Sequence, residues 1–351
     1  MTSLDHHRSR SELGLPQSGR PVIAVVIPCY RVARHLPRVV SAIGPEVTAI
    51  FCVDDACPEE SAATLRQFHD DRIRIIQRTV NGGVGAATCD GYRAAIEAGA
   101  DIIVKLDGDG QMDPRLISVV VGPIARGEAD YVKGNRFFNI ETIGRMSWRR
   151  TLGNAGLSFM TKMSTGYWDI FDPTNGFTAI EARVARELPL DKLHCRFFFE
   201  SDMLFRLGVL RARVVDLPMT SVYGAEHSNL SELNALVAFP LLHLRNFLKR
   251  VVYSYFLHGF SLASVNLLFG SLLCLLGVLF GGAKWIESHQ TGVPATAGTV
   301  MLAALPLVLG AQLVLSFISH DMSRTPTVPL HPRLFQTGAV DRASPAEPPG
   351  C

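Results

Sequence analysis

The sequence predicts an α/β domain built on a mostly parallel sheet, followed by an amphipathic helix and two helices of bilayer length. Three observations carry this. Between Val22 and Leu106, β-branched runs alternate with helical stretches, the pattern of βαβ units. Residues 231–253 place apolar side chains every three or four positions. Two later stretches, 259–282 and 296–319, contain no charged residue and are long enough to span a bilayer.

The elements follow in order. Residues 22–27 (VIAVVI) are continuously apolar, which suits a strand buried on both faces, and Pro28 is expected to stop it. A short helix is expected over 34–43. A strand over 47–53 follows, ending at Asp54-Asp55, then a helix over 61–69 and a strand over 72–77. The turn Asn81-Gly82-Gly83-Val84-Gly85 opens a helix over 86–98, which Gly99 closes. A strand over 101–106 ends at Asp107-Gly108-Asp109-Gly110. Short strands at 130–133 and 178–180 and a helix over 200–210 complete the domain, assigned to residues 21–230. In open sheets of this kind ligands bind at the carboxyl ends of strands, where both acidic pairs lie.

The helix over 231–253 carries Leu233, Val237, Leu241, Leu244, Leu248 and Val251 along one stripe, with Arg245, Lys249 and Arg250 near its end. Pro240 should kink it. Directly before a long apolar run, such a helix reads as interfacial rather than as part of a core. The two uncharged stretches, within 254–320, are joined by a polar link at 284–291 and form a hairpin. Arg245, Lys249 and Arg250 before it, and Arg324 and Arg333 after it, outweigh Lys284 in the link, so the positive-inside rule puts the α/β domain in the cytoplasm. Residues 1–20 are polar with no apolar signal-peptide core. Residues 1–20 and 321–351 read as disordered tails.

With 351 residues and a net charge of +2, the chain has no broad basic surface for nucleic acid. Its seven cysteines lack metal-ligand spacing, which argues against a zinc site or a disulfide framework and favours a reducing compartment.

Asp107 and Asp109 are the strongest local signal. Two carboxylates at i and i+2 just past a buried strand can converge on one hard cation, Mg²⁺ or Mn²⁺, which keeps positions open for diphosphate oxygens. The Asp54-Asp55 pair can accept hydrogen bonds from a base or ribose, although the same residues are good turn chemistry. The Gly82–Gly85 turn lacks the third glycine of a dinucleotide loop, since Thr88 stands there.

The motifs Val26-Ile27-Pro28-Cys29-Tyr30, Val53-Asp54-Asp55, Asn81-Gly82-Gly83-Val84-Gly85 and Asp107-Gly108-Asp109-Gly110-Gln111 together resemble the inverting family-2 glycosyltransferases. Within them the chain looks most like the polyprenyl-phosphate hexosyltransferases of the dolichol-phosphate mannose synthase type. Gly134-Asn135-Arg136-Phe137, Asp172–Phe177 (DPTNGF) and Phe199-Glu200-Ser201-Asp202 extend the likeness over about residues 22–230. The resemblance implies a GT-A-type fold and a nucleotide-sugar donor, UDP- or GDP-hexose. Pro28, Tyr30, Asp55 and Gly83 would line the nucleotide with Asp54 beside it. Asp107 and Asp109 would hold the metal with Gln111 near it, and Arg136 and Arg150 would face the acceptor phosphate or donor diphosphate. Asp172, Glu200 and Asp202 would shape the sugar pocket. Two motifs depart from the family. Arg31-Val32 replaces the usual Asn-Glu, and no diphosphate-binding arginine stands near Tyr223–Ser228.

The implied reaction is one inverting transfer of a hexose to a polyprenyl phosphate at the membrane. A rival reading has a lipid or glycan hydroxyl as acceptor, with Asp202 or Glu200 as base. A third is a non-catalytic membrane scaffold on the same fold. Helical hairpins of this kind also pack with copies of themselves, which would give a homo-oligomer.

Overall fold

The computed structural model describes residues 19–136, 148–219 and 232–334. It divides into two compact units, residues 1–244 with 326–351, and residues 245–325.

The first unit holds a seven-stranded sheet in the order β3-β2-β1-β4-β6-β5-β7. Strands β1 (Ile23–Cys29), β2 (Val47–Asp54), β3 (Ile73–Gln77) and β4 (Ile102–Lys105) are mutually parallel. Strand β6 (Thr178–Glu181) runs antiparallel to β4 and to β5 (Tyr131–Asn135), and β7 (Val214–Pro218) lies parallel to β5 at the edge. The expectation of an α/β domain on a mostly parallel sheet is met, with one reversed strand inside the sheet.

The β1 run is apolar throughout because both its faces are covered. Ala24 and Val26 face one core with helix α3 (Val84–Glu97), while Ile23, Val25 and Ile27 face the other with α1 (Leu36–Ser41) and α4 (Ile117–Ala125). Pro28 does not stop β1, which continues to Cys29. Val26 O accepts from Leu106 N, so Pro28, two residues on, faces the same neighbour, and β4 has already ended at Lys105. Its missing N–H therefore costs no ladder bond. Helix α2 (Ser61–Arg66) is shorter than expected. Helices α4, α5 (Trp148–Thr165) and α6 (Ala182–Glu187) and the strand β7 lie outside the sequence expectation, whereas α7 (Phe199–Leu210) meets it.

Helix α8 (Glu232–Val251) contains Pro240 and runs into a π-helical turn, Val252–Leu257. Among its described side chains the buried positions are polar except for Val251. His243, Asn246 and Arg250 are buried, while Leu241, Leu244 and Leu248 are more than half exposed. In the second unit, α9 (Leu262–Thr291) and α10 (Ala297–Ser323) are long and apolar enough to cross a membrane. The stretch 284–291 is not a link but the last turns of α9, and the chain reverses over 292–296. The helices meet at Gly270, Gly277 and Gly310, where a Cβ would strike the facing backbone. Arg250 is not a free flanking cation. It makes a two-pronged ion pair with Asp321 at 2.7 and 3.0 Å, and the Tyr255 hydroxyl donates to the same carboxylate at 2.6 Å.

The tail expected from 321 onward is ordered as far as 334. After α10 the chain comes back to the first unit as a strap. Leu330 N and His331 N donate to Asp130 at 2.7 and 2.9 Å, and His331 Nδ1 lies 2.7 Å from Asp130 Oδ1. The tail sequences 1–18 and 335–351 lie outside the described residues.

Candidate active site

The carboxyl ends of the parallel strands place most of the motif residues along one edge of the sheet, in three clusters.

At the ends of β1 and β2, Tyr30 is exposed with the Arg31 guanidinium over its ring. Both aspartates behind it are buried and committed to backbone. Asp54 accepts from Cys57 N at 2.8 Å and from Ala62 N at 3.0 Å. Asp55 accepts from Gly82 N and Gly83 N at 2.9 and 2.7 Å and pairs with Arg78 at 2.9 Å. These carboxylates hold the loops that shape the site. Gly83 adopts φ +91°, and a side chain there would collide with Cys195 O and Arg196. Cys195 O also accepts from Gly85 N and Ala86 N. The amino end of α3 is thus closed by a carbonyl, unlike the open end of a dinucleotide loop.

At the end of β4 lies the centre of the site. Asp107 is partly exposed, with its Oδ1 2.7 Å from Lys105 Nζ. Asp109 Oδ1 accepts from Gln111 N at 3.0 Å, which folds the loop back on itself. Lys105 is 1% exposed and also donates to Glu200 Oε1 on α7 at 3.1 Å and to Gly176 O at 3.4 Å. Burial works against its charge, but Asp107 and Glu200 more than offset this and hold the ammonium above its ordinary pKa. Gly176 must lack a side chain, because a Cβ would run into Asp107 Oδ2 and Lys105 Nζ. Asp107 and Asp109 can hold a divalent cation. Among the described residues no three His, Cys, Asp or Glu side chains converge, so the remaining ligands would be phosphate oxygens and water, which fits Mg²⁺ or Mn²⁺.

At the end of β5, Arg136 forks onto Asp172, with Nε to Oδ2 at 2.8 Å and Nη2 to Oδ1 at 3.0 Å. Burial pushes the Asp172 carboxyl up, but Arg136 and Lys133 prevail and lower it. Lys133 is fully buried and donates to the carbonyls of Asp172 and Asn175. Burial lowers its pKa. Asp216 on β7 accepts from Phe171 N at 2.9 Å, and burial lifts its carboxyl to about 6.

Of the two expected pocket carboxylates on α7, Asp202 stands apart from these clusters and Glu200 belongs to the one around Lys105. Asp202 accepts from His194 N at 3.0 Å and from Arg206 Nε at 3.3 Å. Glu200 turns to Lys105 instead of standing open in a pocket. Arg150 sits in the first turn of α5, and its side chain lies outside the described residues, as do Tyr223–Ser228. The sequence reading passed over Lys105, Lys133 and Asp216. The signal for the two lysines was a charge inside an otherwise apolar strand, IIVK and YVKGN.

The model for glycosyl transferase family 2 matches residues 24–188, the span from β1 through α6. These residues form a glycosyl transferase family 2 domain. The dolichyl-phosphate N-acetylglucosaminyltransferase of Methanococcus voltae, which takes UDP-N-acetylglucosamine, is 26% identical to this chain over 63% of it and 94% of the relative. The undecaprenyl-phosphate mannosyltransferase of Micrococcus luteus is 28% identical over 57% of this chain and 83% of its own. A solved glucosyl-3-phosphoglycerate synthase from Mycobacterium tuberculosis aligns with a TM-score of 0.47 at 18% identity, over 71% of this chain and 86% of that one. The glycosyltransferase domain carries its acidic loop, Asp107 to Gln111, at the carboxyl end of β4, beside the point where β1 and β4 neighbour each other in the sheet.

Proposed function

We propose that the protein transfers one hexose from a nucleotide-sugar donor to a polyprenyl phosphate at the cytoplasmic face of a membrane, with inversion at the anomeric carbon. The observation that carries this is the Asp107/Asp109 loop, set among Lys105, Glu200 and the Arg136–Asp172 fork, on a chain that also has two bilayer-length apolar helices. The two curated relatives differ in sugar but share a polyprenyl-type phosphate in their names. That supports the acceptor and leaves the donor to be identified.

Asp107 and Asp109 would hold Mg²⁺ or Mn²⁺, which when bound stabilises negative charge on the departing nucleotide diphosphate. Tyr30, open at the end of β1, would lie against the base, with Asp54 and Asp55 fixing the loops around it. Arg136, about a third exposed while its fork grips Asp172, offers positive charge to the acceptor phosphate. A phosphate monoester has a second pKa of about 6, so the attacking oxygen is already anionic at neutral pH. No proton need be removed, and Asp202 supports this reading, because Arg206 and the His194 amide already engage its carboxylate. A hydroxyl acceptor would need such a base. Catalysis then rests on placement of the two substrates and on fixed positive charge.

Membranes holding the full chain, given labelled UDP- and GDP-sugars, polyprenyl phosphate and Mg²⁺ or Mn²⁺, test this. Label should enter the lipid extract from one donor, and should be lost with EDTA and at least 100-fold reduced in Asp109→Ala. Asp202→Asn should retain more than a tenth of the activity. Donor turnover with no lipid-linked product, or abolition by Asp202→Asn, would transfer the case to a hydroxyl acceptor.

A further inference from the structure

Lys105 reaches the acidic loop from inside the sheet. An ammonium has three hydrogens, and Lys105 spends them on Asp107 Oδ1 at 2.7 Å, Glu200 Oε1 at 3.1 Å and Gly176 O at 3.4 Å. It is 1% exposed, so no ligand from solution reaches it, and its acceptors come from three separate segments. Gly176 closes over the pair with no room for a side chain. The lysine is therefore built into the loop and is not available to grip a substrate.

Such a charge acts on a divalent cation in two opposite ways. By fixing Asp107 it prepares one ligand. By sitting at bond distance from that ligand, away from solvent, it cancels much of the attraction the ligand could exert. Charge dominates here, because the ammonium lies 2.7 Å from Asp107 Oδ1 and is 1% exposed, so solvent does little to screen it from a cation held by that carboxylate. No three acidic, histidine or cysteine side chains converge among the described residues to make up the deficit.

We propose that Lys105 is a resident counter-charge that keeps the Asp107/Asp109 loop from retaining a divalent cation by itself, so that the cation enters together with the donor diphosphate. This rests on the metal-dependent reading of the site given above. The bound diphosphate supplies the negative charge and the oxygen ligands that Lys105 has offset. The arrangement makes an empty site disfavour a stray ion.

Binding of Mn²⁺ to the detergent-purified full chain, read from the free-ion electron paramagnetic resonance signal, tests this without reference to turnover. Wild type should bind Mn²⁺ at least tenfold tighter with UDP or GDP present than without. Lys105→Met should bind Mn²⁺ at least tenfold tighter than wild type when no nucleotide is present. Because Lys105→Met leaves the Asp107 and Glu200 carboxylates without the ammonium between them, the pair Lys105→Met/Glu200→Gln is measured beside it, with melting temperatures for both. It removes the lysine and its second partner together and keeps the buried charge balanced. Tight nucleotide-free binding retained in the double variant supports the counter-charge role. Binding no tighter than wild type in both, or tight binding by wild type alone without nucleotide, overturns it. A reversion to wild-type affinity in the double variant also overturns it, because Glu200 would then have become an added ligand. Failure of wild type to bind Mn²⁺ even with nucleotide, together with transfer that survives EDTA, would instead remove the metal-dependent reading beneath it.

Discussion

Burial raises the Asp216 carboxyl from 3.8 to about 6, and the sign of its contribution to stability follows. A carboxyl that is harder to ionise in the fold than in the unfolded chain stabilises the protein fully below the unfolded value. That contribution is lost as pH rises from about 4 through 6. Asp172 behaves in the opposite sense, since Arg136 lowers its carboxyl against the pull of burial, and its contribution is lost as pH falls through the folded value. Asp216→Asn should therefore flatten the fall in melting temperature between pH 4 and 7 and raise stability at pH 7.5 by on the order of 1–3 kcal/mol. Thermal melts of both proteins across that range check this, and a parallel decline in the variant would disprove it. At this scale the acidic motif was readable and its neighbours were not. The position of Asp107 and Asp109 was legible because the apolar run before them predicts a strand that ends there. Asp54 and Asp55 looked alike on paper, yet the amides of Cys57, Ala62, Gly82 and Gly83 claim their oxygens. Only folded proximity reveals such bonds. Glu200 finds Lys105 across 95 residues of chain, a distance over which periodicity says nothing.

Helix α8 gives the second scale its test. A stripe of leucines normally turns toward a core, but here Leu241, Leu244 and Leu248 face outward while His243 meets the Ser164 hydroxyl at 2.8 Å and the Phe198 ring. Such an outward stripe suits the headgroup and acyl boundary of a bilayer. Changing the three leucines to serine should leave the melting temperature of the protein within a few degrees of wild type, because exposed side chains carry little packing. It should raise KM for polyprenyl phosphate about tenfold while KM for the donor holds. A collapse in melting temperature would mean the leucines are core after all. The 3.6-residue period located this helix, and only the apolar run that follows it pointed the stripe away from a core. Composition likewise misjudged the end of α9. Residues 284–291 are polar enough to read as a link, yet helical hydrogen bonding carries on through them to Gly292, which caps the helix at φ +68°. The edge strand β7 escaped notice because its pairing with β5, Tyr131 to Val214, is set by chain 83 residues away.

At the scale of the whole molecule, Asp130 is the fastening. It is fully buried, and both its oxygens are taken up by Arg213 N, Leu330 N and the His331 amide and ring. Asp130→Ala strands those donors and should cost about 3 kcal/mol or more. It should also open the segment 324–334 to proteases, and limited digestion followed by mass mapping would detect that. An unchanged digestion pattern would mean the strap is held by other contacts. A tail rich in proline, alanine and polar residues gave no hint of this docking, because one histidine and two backbone amides carry it and none of them has a pattern.

The same fastening bears on a question of parity. The chain leaves the catalytic unit along α8, passes through two apolar helices, and then sets His331 down on the body it left. A thread that departs from one side of a sheet of lipid and is later tied to an object on that side has crossed the sheet an even number of times. If α9 and α10 span a bilayer, the knot at Asp130 requires both outer ends of the hairpin to lie on one face, whichever face that is, and it would do so in a variant stripped of every flanking positive charge.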